Sequence, residues 1–341
     1  MQIRTAESLR AYNTLGLEAT AKALALVGTE AELMDVLSWS RARGLPVVPL
    51  GEGSNIVLAG SPEVLWLRQY GREITALGEE GSRVILRVDA GHDWHALVEN
   101  TLRRGYFGLE NLALIPGTVG AAPIQNIGAY GAEVERFVRM VHGVELETGR
   151  PFGLSANECQ FAYRDSIFKG ELRDRIVITA VDIALDREPS VDISYPALKQ
   201  ELKRRGCANP RPEDVFDAVV AVRRSRLPDP AEEPNAGSFF KNPVVSAEGA
   251  EDLATQWPGL PRYQQADGRV KLPAAWMIDK AGWKGHRGKG VGVHREHALV
   301  LVNLGANSGK ALLQLADEIV ASVEQQFGIM LEMEPRVYGQ A

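Results

Sequence analysis

The order of hydrophobic and polar positions predicts helices interleaved with short strands along the first part of the chain. Residues 29–43 repeat apolar side chains at helical spacing, with Thr29 placed to cap the start and Gly44 to end the helix. Asp93 caps a second predicted helix, which ends at Gly105. Strands are predicted at residues 46–50, 56–58, 84–88 and 176–185, and a hairpin at residues 137–146 with its turn at 147–150. Helices and strands mixed in this way indicate the α+β class.

The composition shifts near residues 204–212, a polar, proline-bearing stretch that is typical of a linker. Beyond it, helices are predicted at residues 214–226, 273–280 and 310–327, and a buried strand at residues 298–303. Residues 331–339 alternate apolar with charged side chains, so we expect this tail to dock as a strand.

One long stretch, from residue 111 to residue 132, carries no formal charge. Four glycines and two prolines within residues 115–131 argue against a membrane-spanning helix, because the interrupted backbone would lack hydrogen-bond partners in lipid. We interpret residues 115–131 as a loop without secondary structure of its own, whose backbone approaches a cofactor closely. The alternative is an irregular crossover through the core.

Composition narrows the possible functions. The length of 341 residues predicts two or three domains. The formal net charge of -6 argues against a general nucleic-acid role, since phosphate binding needs a basic face. Residues 1–17 contain no apolar core of a signal peptide, so we expect no secretory signal. The two cysteines, Cys159 and Cys207, have no metal-site spacing and are expected to be free thiols in a reducing cytoplasm.

Three familiar motifs are incomplete. The dinucleotide fingerprint needs a glycine where Ile56 stands. Residues 305–310 resemble a phosphate-binding P-loop, but they are one residue short and Ala311 replaces the hydroxyl that would bind magnesium. His294 and His297 are close together without a third ligand, so we expect no metal, and we interpret His294 as a structural or substrate-contacting residue.

Three other segments have features of a chemical site. The glycine-rich turn GEGSN at residues 51–55 is suited, together with residues 115–131, to hold a pyrophosphate. Arg164 lies among aromatic side chains and is either a structural partner of Asp165 or an anion clamp. Ser238 is surrounded by small and aromatic neighbours, which indicates either a turn before a short strand or a shielded hydroxyl.

The sequence also contains, in order, PLGEGSN at 49–55, IPGTVGAAPIQNIGAYG at 115–131, YRDS at 163–166, RLPDP at 226–230, NAGSFFKNP at 235–243 and LEMEPR at 331–336. Their order and spacing resemble the family of UDP-N-acetylenolpyruvoylglucosamine reductases, flavoenzymes of bacterial peptidoglycan precursor synthesis. The resemblance implies a FAD-binding fold of the vanillyl-alcohol-oxidase (PCMH) type, with two subdomains at residues 1–68 and 69–210. An α+β substrate-binding domain at residues 211–338 would follow.

The resemblance also implies roles for individual residues. Ser238 is the expected proton donor, and Arg164 and Glu334 are the other expected catalytic residues. The residues that flank Glu334 differ from the family pattern, which leaves Glu332 as the alternative carboxylate. The expected cradle for non-covalent FAD is Gly51, Gly53, Ser54, Asn55, Ile115, Pro116, Gly117, Thr118, Gly120, Ala121, Gln125, Asn126, Ile127, Gly128 and Ala129. The expected substrate-binding residues are Tyr195, Arg226 (where relatives have lysine), Asn242, Lys271, Lys284 and His294, with Lys241 a further candidate for the diphosphate.

The activity implied by the resemblance is an NADPH-dependent reduction. NADPH would reduce FAD, and reduced FAD would reduce the enolpyruvyl ether of UDP-N-acetylglucosamine enolpyruvate to UDP-N-acetylmuramate. We therefore expect a cytoplasmic monomer that binds a sugar nucleotide and NADPH, and neither nucleic acid nor a membrane. The alternatives are a FAD-dependent oxidase of the same fold, although residues 115–131 offer no histidine to tether a flavin, and a non-catalytic nucleotide-sugar binder.

Overall fold

The computed structural model describes residues 2–340, and the chain forms two compact units. The first unit contains the N-terminal strand and residues 21–52 and 63–225; the second contains residues 8–20, residues 53–62 and the chain from residue 226 onward. The loop at residues 115–131 and Arg164 thus belong to the first unit, and Ser238 and Glu334 to the second. The division into domains at residues 68 and 210 stays a prediction.

In the smaller sheet of the first unit, strand Leu65–Gln69 pairs in parallel with both of its neighbours. Its strand order is Gln2–Ser8, Thr20–Val27, Leu65–Gln69 and Val47–Pro49. Helix Glu30–Arg41 packs Leu33 and Leu37 into the same core as these strands. The predicted N-cap is confirmed, because the Thr29 hydroxyl accepts a hydrogen bond from the Glu32 N–H at 3.2 Å. The Glu32 carboxylate accepts from the Gly28 N–H, one residue before the cap, so the reciprocal capping box is not formed at Thr29.

The larger sheet of the first unit is antiparallel and holds most of the core. Its strand order is Pro151–Ser155, Val138–Glu145, Ile176–Asp186, Arg83–Asp89 and Ile74–Glu80. The predicted hairpin of residues 137–150 is confirmed, with Val144 opposite Pro151. Strand Ile176–Asp186 is central and buried along nearly its whole length, as its β-branched composition predicted.

Three α-helices complete this unit: Trp94–Arg103, Pro196–Arg204 and Pro212–Arg226. Asp93 caps the first of them by accepting a hydrogen bond from the Ala96 N–H at 2.6 Å, which confirms the predicted start. The third helix begins at Pro212, two residues earlier than predicted, and proline suits the first turn because its missing N–H is not needed there. The predicted linker therefore lies between two helices, and both pack Leu198 and Val219 into the large core.

The second unit is built around short antiparallel strands and one long helix. One sheet orders Asn235–Ser238, Val300–Asn303 and Val291–Val293, and another orders Val244–Val245, Val270–Lys271 and Tyr263–Gln264. The helices are Ala247–Gln256, Ala274–Lys280 and Lys310–Phe327, the last with the predicted bounds. The tail forms strand Arg336–Tyr338, which pairs in parallel with Ile56–Leu58 and confirms the predicted docking.

Within residues 2–340, no helix is both long and apolar enough to cross a membrane. This agrees with the reading of the uncharged stretch as something other than a transmembrane helix.

Candidate functional site

The loop at residues 115–131 has secondary structure, so the expectation of a structureless loop is wrong. Residues Val119–Gln125 form a 3-10 helix, and Gly128–Ala129 pairs with Ala132–Glu133 as a small hairpin. Tyr130 and Gly131 join these strands with φ angles of 47° and 87°. Two positive φ angles in a two-residue hairpin turn are the type I′ geometry, which glycine accepts readily and tyrosine does not.

The start of this loop is fastened to the end of a core strand. The N–H groups of Val119 and Gly120 donate to the carbonyls of His92 and Ala90, each at 2.9 Å. A Cβ atom added to Gly120 would lie 2.5 Å from the Ala90 Cβ, a distance that would force the backbones apart. Gly120 is therefore needed for packing of the loop against the protein itself.

We expect Gly120→Ala to weaken FAD binding about tenfold, because overpacking at Ala90 would displace the loop. The measurement is the flavin content and FAD dissociation constant of the purified variant. Gly170→Ala is the matched control, since a Cβ there meets its nearest atom, the Ile167 carbonyl oxygen, at an ordinary 3.8 Å. Full flavin occupancy in Gly120→Ala would remove this loop from the predicted cradle.

The two glycine-rich segments meet within the first unit. A Cβ atom on Gly51 would lie 3.1 Å from the Thr118 Oγ1, so the absence of a side chain at Gly51 lets the GEGSN turn approach the loop. Burial and the nearby Asp93 carboxylate raise the pKa of Glu52, and a hydrogen bond from the Gly117 N–H opposes this shift. A carboxyl group shifted toward its neutral form, beside an uncharged loop, is compatible with a bound pyrophosphate, so these residues fit FAD.

The rest of the GEGSN turn belongs to the second unit. A Cβ atom on Gly53 would lie 2.1 Å from the Tyr12 carbonyl oxygen, so only glycine fits there. The carbonyl of Asn55 accepts a hydrogen bond from the Arg336 N–H at 3.0 Å, and its side-chain amide donates to the Glu334 carbonyl at 3.4 Å. Ser54 and Asn55 of the predicted cradle therefore lie beside the segment that carries Glu334.

Backbone strain is concentrated at the loop and its neighbours. Seven non-glycine residues of the described chain have positive φ, and four of them are Leu114 (58°), Asn126 (44°), Tyr130 (47°) and Arg164 (55°). Such conformations cost of the order of 1–3 kcal/mol each and persist where surrounding contacts impose them, commonly at functional sites. Sequence reasoning did not anticipate them, because nothing in residue type marks a leucine or an arginine for positive φ.

The YRDS turn holds the loop through side chains. The Arg164 Nη2 donates to the Gly128 carbonyl at 2.8 Å, and the Ser166 hydroxyl donates to the Ile124 carbonyl at 2.7 Å. Asn126 is fully buried, and its side-chain amide donates to the Ala162 carbonyl at 3.2 Å. Arg164 is therefore placed at the hairpin of the loop. The Asp165 carboxylate accepts from the Ser166 N–H at 2.9 Å, a local turn contact.

A second arginine, Arg223, lies near Arg164 and was not among the site residues predicted from the sequence. Arg223, on helix Pro212–Arg226, donates to the Leu114 carbonyl at 3.1 Å. Burial and the charge of Arg164 lower the pKa of Arg223, while Tyr130 acts in the opposite direction. The two guanidinium groups concentrate positive charge at this end of the loop, where the Glu133 side chain also lies beside Gly128. Sequence reasoning had little basis for selecting Arg223, because the same helix also carries the exposed arginines Arg224 and Arg226.

Tyr195 is also brought to this hairpin. It precedes helix Pro196–Arg204 and is 40% exposed. Its ring meets the Tyr130 ring edge to face, with centroids 5.3 Å apart and planes at 83°. The first unit thus gathers Arg164, Arg223 and Tyr195 around the turn at Tyr130.

In the second unit, Ser238 and Glu334 are held close along the backbone. Ser238 ends a strand opposite Val300, and the Glu334 N–H donates to the carbonyl of the next residue, Phe239, at 2.9 Å. Gly237 before it has a φ of 69° and donates its N–H to the Asn235 side chain at 2.8 Å, which makes a tight turn into Ser238. Ser238 is half-buried, so its hydroxyl is reachable.

The alternative carboxylate occupies a different environment. Glu332 is largely exposed and forms an ion pair with Lys241. The assignment of Glu334 rather than Glu332 as the active-site carboxylate stays a prediction. Phe239 and Phe240 are fully buried and pack edge to face with each other, so they anchor this segment in the core.

The predicted substrate residues of the second unit lie on several elements. The Asn242 side-chain oxygen accepts from the Ala274 N–H at 2.9 Å and caps helix Ala274–Lys280. Lys284 lies 3.4 Å from the Asp279 carboxylate, and buried His294 lies 3.7 Å from that of Glu233. Lys271 ends strand Val270–Lys271, and Arg226 is exposed at the end of its helix. Across the described residues, no group of three metal-binding side chains occurs.

Known protein families match both units of the chain. A model of a FAD binding domain matches residues 21–150, and a model of the UDP-N-acetylenolpyruvoylglucosamine reductase C-terminal domain matches residues 229–338. The chain is 45% identical to the UDP-N-acetylenolpyruvoylglucosamine reductase of Pseudomonas putida over 331 residues, 97% of each chain. It is also 45% identical to that of Chromobacterium violaceum over 338 residues, 99% of each chain.

Solved structures agree with these matches. The chain is similar to the UDP-N-acetylenolpyruvylglucosamine reductase of Thermus caldophilus, with 26% identity and a TM-score of 0.66 over 99% of this chain and 98% of the other. A solvent-stable cholesterol oxidase, at 12% identity and a TM-score of 0.51 over 98% of this chain and 86% of the other, shares the fold alone. Together with the FAD-domain match, these structures confirm the predicted α+β FAD-binding fold.

Proposed function

The chain belongs to the family of UDP-N-acetylenolpyruvoylglucosamine reductases, and we propose that it reduces UDP-N-acetylglucosamine enolpyruvate to UDP-N-acetylmuramate with NADPH. FAD, held by the predicted cradle at residues 51–55 and 115–129, would supply the hydride-transfer chemistry between NADPH and the enolpyruvyl group. The protein then has three tasks: to hold the flavin, to bind and orient an anionic sugar nucleotide, and to supply a proton to the carbon next to the one that receives the hydride.

The observation that carries this proposal is the placement of Arg164. Its guanidinium donates to the Gly128 carbonyl in the predicted flavin loop, and Arg223 lies near it. Hydride addition to the distal enol carbon develops negative charge next to the substrate carboxylate. A guanidinium already oriented by the loop stabilises that charge without reorganising in the transition state.

Ser238 supplies the proton in this proposal. Hydride transfer to one carbon leaves an electron pair on its neighbour, and the O–H bond of Ser238 breaks as a new C–H bond forms there. Proton transfer from a positioned side chain is typically worth about 10²–10⁴ in rate. Glu334, whose backbone N–H donates to the Phe239 carbonyl, is proposed to orient the hydroxyl or a water beside it. Tyr195, Asn242, Lys271, Lys284, His294 and Arg226 are proposed to contact the sugar nucleotide, as the family resemblance implies.

Spectroscopy of the purified protein tests the function. We expect a yellow protein whose flavin absorbance bleaches on addition of NADPH without oxygen and returns when UDP-N-acetylglucosamine enolpyruvate is added. Rapid reoxidation by oxygen, with no response to the sugar nucleotide, would identify an oxidase instead. A colourless protein that binds the sugar nucleotide without turnover would identify a non-catalytic binder.

We further propose that the enzyme works as a cytoplasmic monomer with non-covalently bound FAD. Support for the cytoplasm comes from the chemistry, because NADPH and a nucleotide sugar are intracellular metabolites. Residues 115–131 contain no histidine or cysteine, which supports a flavin held without a covalent bond. The proposed domain boundaries remain residues 1–68, 69–210 and 211–338.

A further inference from the structure

Asn111 connects two segments that no motif joins. It is 4% exposed and lies in the 3-10 helix Glu110–Leu112. Its side-chain amide donates to the Tyr130 carbonyl at 2.9 Å and to the Asp192 carbonyl at 2.9 Å. An asparagine amide has two N–H donors, so this one group satisfies two carbonyls from segments about sixty residues apart.

Both carbonyls belong to backbone that positions an aromatic ring. Tyr130 is at the positive-φ turn of the loop hairpin, where its ring meets that of Tyr195 edge to face. Asp192 precedes Tyr195 by three residues and its carboxylate accepts from the Ser194 N–H at 3.0 Å, which turns the chain toward the tyrosine. Asn111 therefore fixes the backbone on both sides of the Tyr130–Tyr195 contact.

The Asp192 segment is held by apolar packing of Val191 and Ile193 against the core and by a second polar contact. The Arg136 guanidinium lies 3.5 Å from the Asp192 carboxylate, and both side chains are partly exposed. A cavity of about 210 Å³ lies beside them, lined in part by Asn111, Arg136 and Asp192. Because open space lies on one side of Asp192, the polar contacts of Asn111 and Arg136 add to the packing of its neighbours in fixing the position of this segment.

We propose that Asn111 is a positioning residue for substrate binding, which acts by holding Tyr195 against the turn at Tyr130. This inference rests on the proposed function, because it takes Tyr195 to be a substrate-binding residue. Asn111 itself is buried behind the two carbonyls and touches no substrate. Its contribution is to reduce the number of positions that Tyr195 samples before the sugar nucleotide binds, which lowers the cost of ordering that residue.

The test is a double-mutant cycle on substrate affinity. The dissociation constant of UDP-N-acetylglucosamine enolpyruvate is measured by calorimetric titration of the oxidised holoenzyme, so that no turnover is required. We expect Asn111→Leu, which keeps the side-chain size but removes both donors, to weaken binding about tenfold. In the Tyr195→Ala background, the same substitution is expected to change the constant less than about twofold, because coupled residues are not additive.

A matched control separates positioning from loss of structure. Asn303 in the second unit also donates its side-chain amide to two carbonyls, those of Leu15 and Ala306 at 2.7 and 2.9 Å. Asn303→Leu is expected to lower the melting temperature in the same way as Asn111→Leu but to leave substrate affinity within about twofold, and equal loss of affinity in both would overturn the inference. If Asn111→Leu does not fold, Asn111→Ser, whose single hydroxyl cannot donate to both carbonyls, is expected to show the same coupling to Tyr195.

Two results distinguish failure of the inference from failure of the proposed function. If Tyr195→Ala leaves substrate affinity unchanged, the proposed role of Tyr195 is wrong. If Tyr195→Ala weakens binding but Asn111→Leu still weakens it about tenfold in that background, Tyr195 keeps its role and Asn111 does not act through it.

Discussion

Replacement of Ser238 by alanine is expected to slow reoxidation of the reduced enzyme by the enolpyruvyl substrate at least about 10²-fold, the low end for a positioned general acid. Reduction of the flavin by NADPH is expected to proceed at close to the normal rate. The physical reason is timing, because the hydroxyl matters only after the hydride has reached the substrate. A group used only in that transition state affects the substrate half-reaction and leaves substrate affinity little changed.

Stopped-flow absorbance of the flavin under nitrogen measures both half-reactions in one protein. Ser246→Ala is the matched control, because that hydroxyl caps a helix by accepting from the Gly249 N–H at 3.1 Å. Its loss should cost stability, about 1 kcal/mol, without changing either rate. Equal slowing of both half-reactions in Ser238→Ala, or of neither, would remove Ser238 from the proton-donor role.

Arg164→Lys is expected to lose about 10²–10³ in the rate of the substrate half-reaction while keeping its flavin. Lysine retains the positive charge but lacks the planar fork, so it cannot donate to the Gly128 carbonyl and to a substrate carboxylate in the same geometry. Arginine and lysine have similar backbone strain at the observed φ of 55°, so the difference between the parent enzyme and Arg164→Lys reports on the side-chain head group.

The control for this prediction is Arg204→Lys, an arginine on helix Pro196–Arg204 that pairs with Glu201 at the surface. It should be indistinguishable from the parent enzyme, since exposed ion pairs contribute little. Near-parental activity of Arg164→Lys, together with unfolding of Asp165→Asn, would instead assign Arg164 a structural role in its turn. Loss of flavin from Arg164→Lys would show that its contact with the loop is needed for the cofactor.

Much of the local structure followed from the sequence. The apolar stripe of residues 310–327 predicted a helix with the observed bounds, and the side chains of Thr29 and Asp93 mark the helix starts that they cap. These features depend on residues within a few positions of one another, so a short window contains the information. The uncharged, glycine-rich composition of residues 115–131 likewise marked the predicted cofactor loop.

The internal shape of that loop did not follow from composition. Its 3-10 helix and its hairpin depend on contacts with other parts of the chain. The Gly120 N–H donates to the Ala90 carbonyl, the Ser166 hydroxyl donates to the Ile124 carbonyl, and the Asn111 side chain donates to the Tyr130 carbonyl. The positive φ of Tyr130 and Arg164 is stable only with such contacts in place.

The sequence by itself determined the helix periods, the caps, the family motifs and the residue types available for chemistry. Only the tertiary structure decided that Arg223 lies near Arg164, that the Glu334 N–H is held by the Phe239 carbonyl next to Ser238, and that Asn111 ties two distant segments together. The physical reason is range: caps and amphipathic faces are set by neighbours along the chain, whereas these contacts form between residues whose separation is closed only when the whole sheet and helix framework has folded.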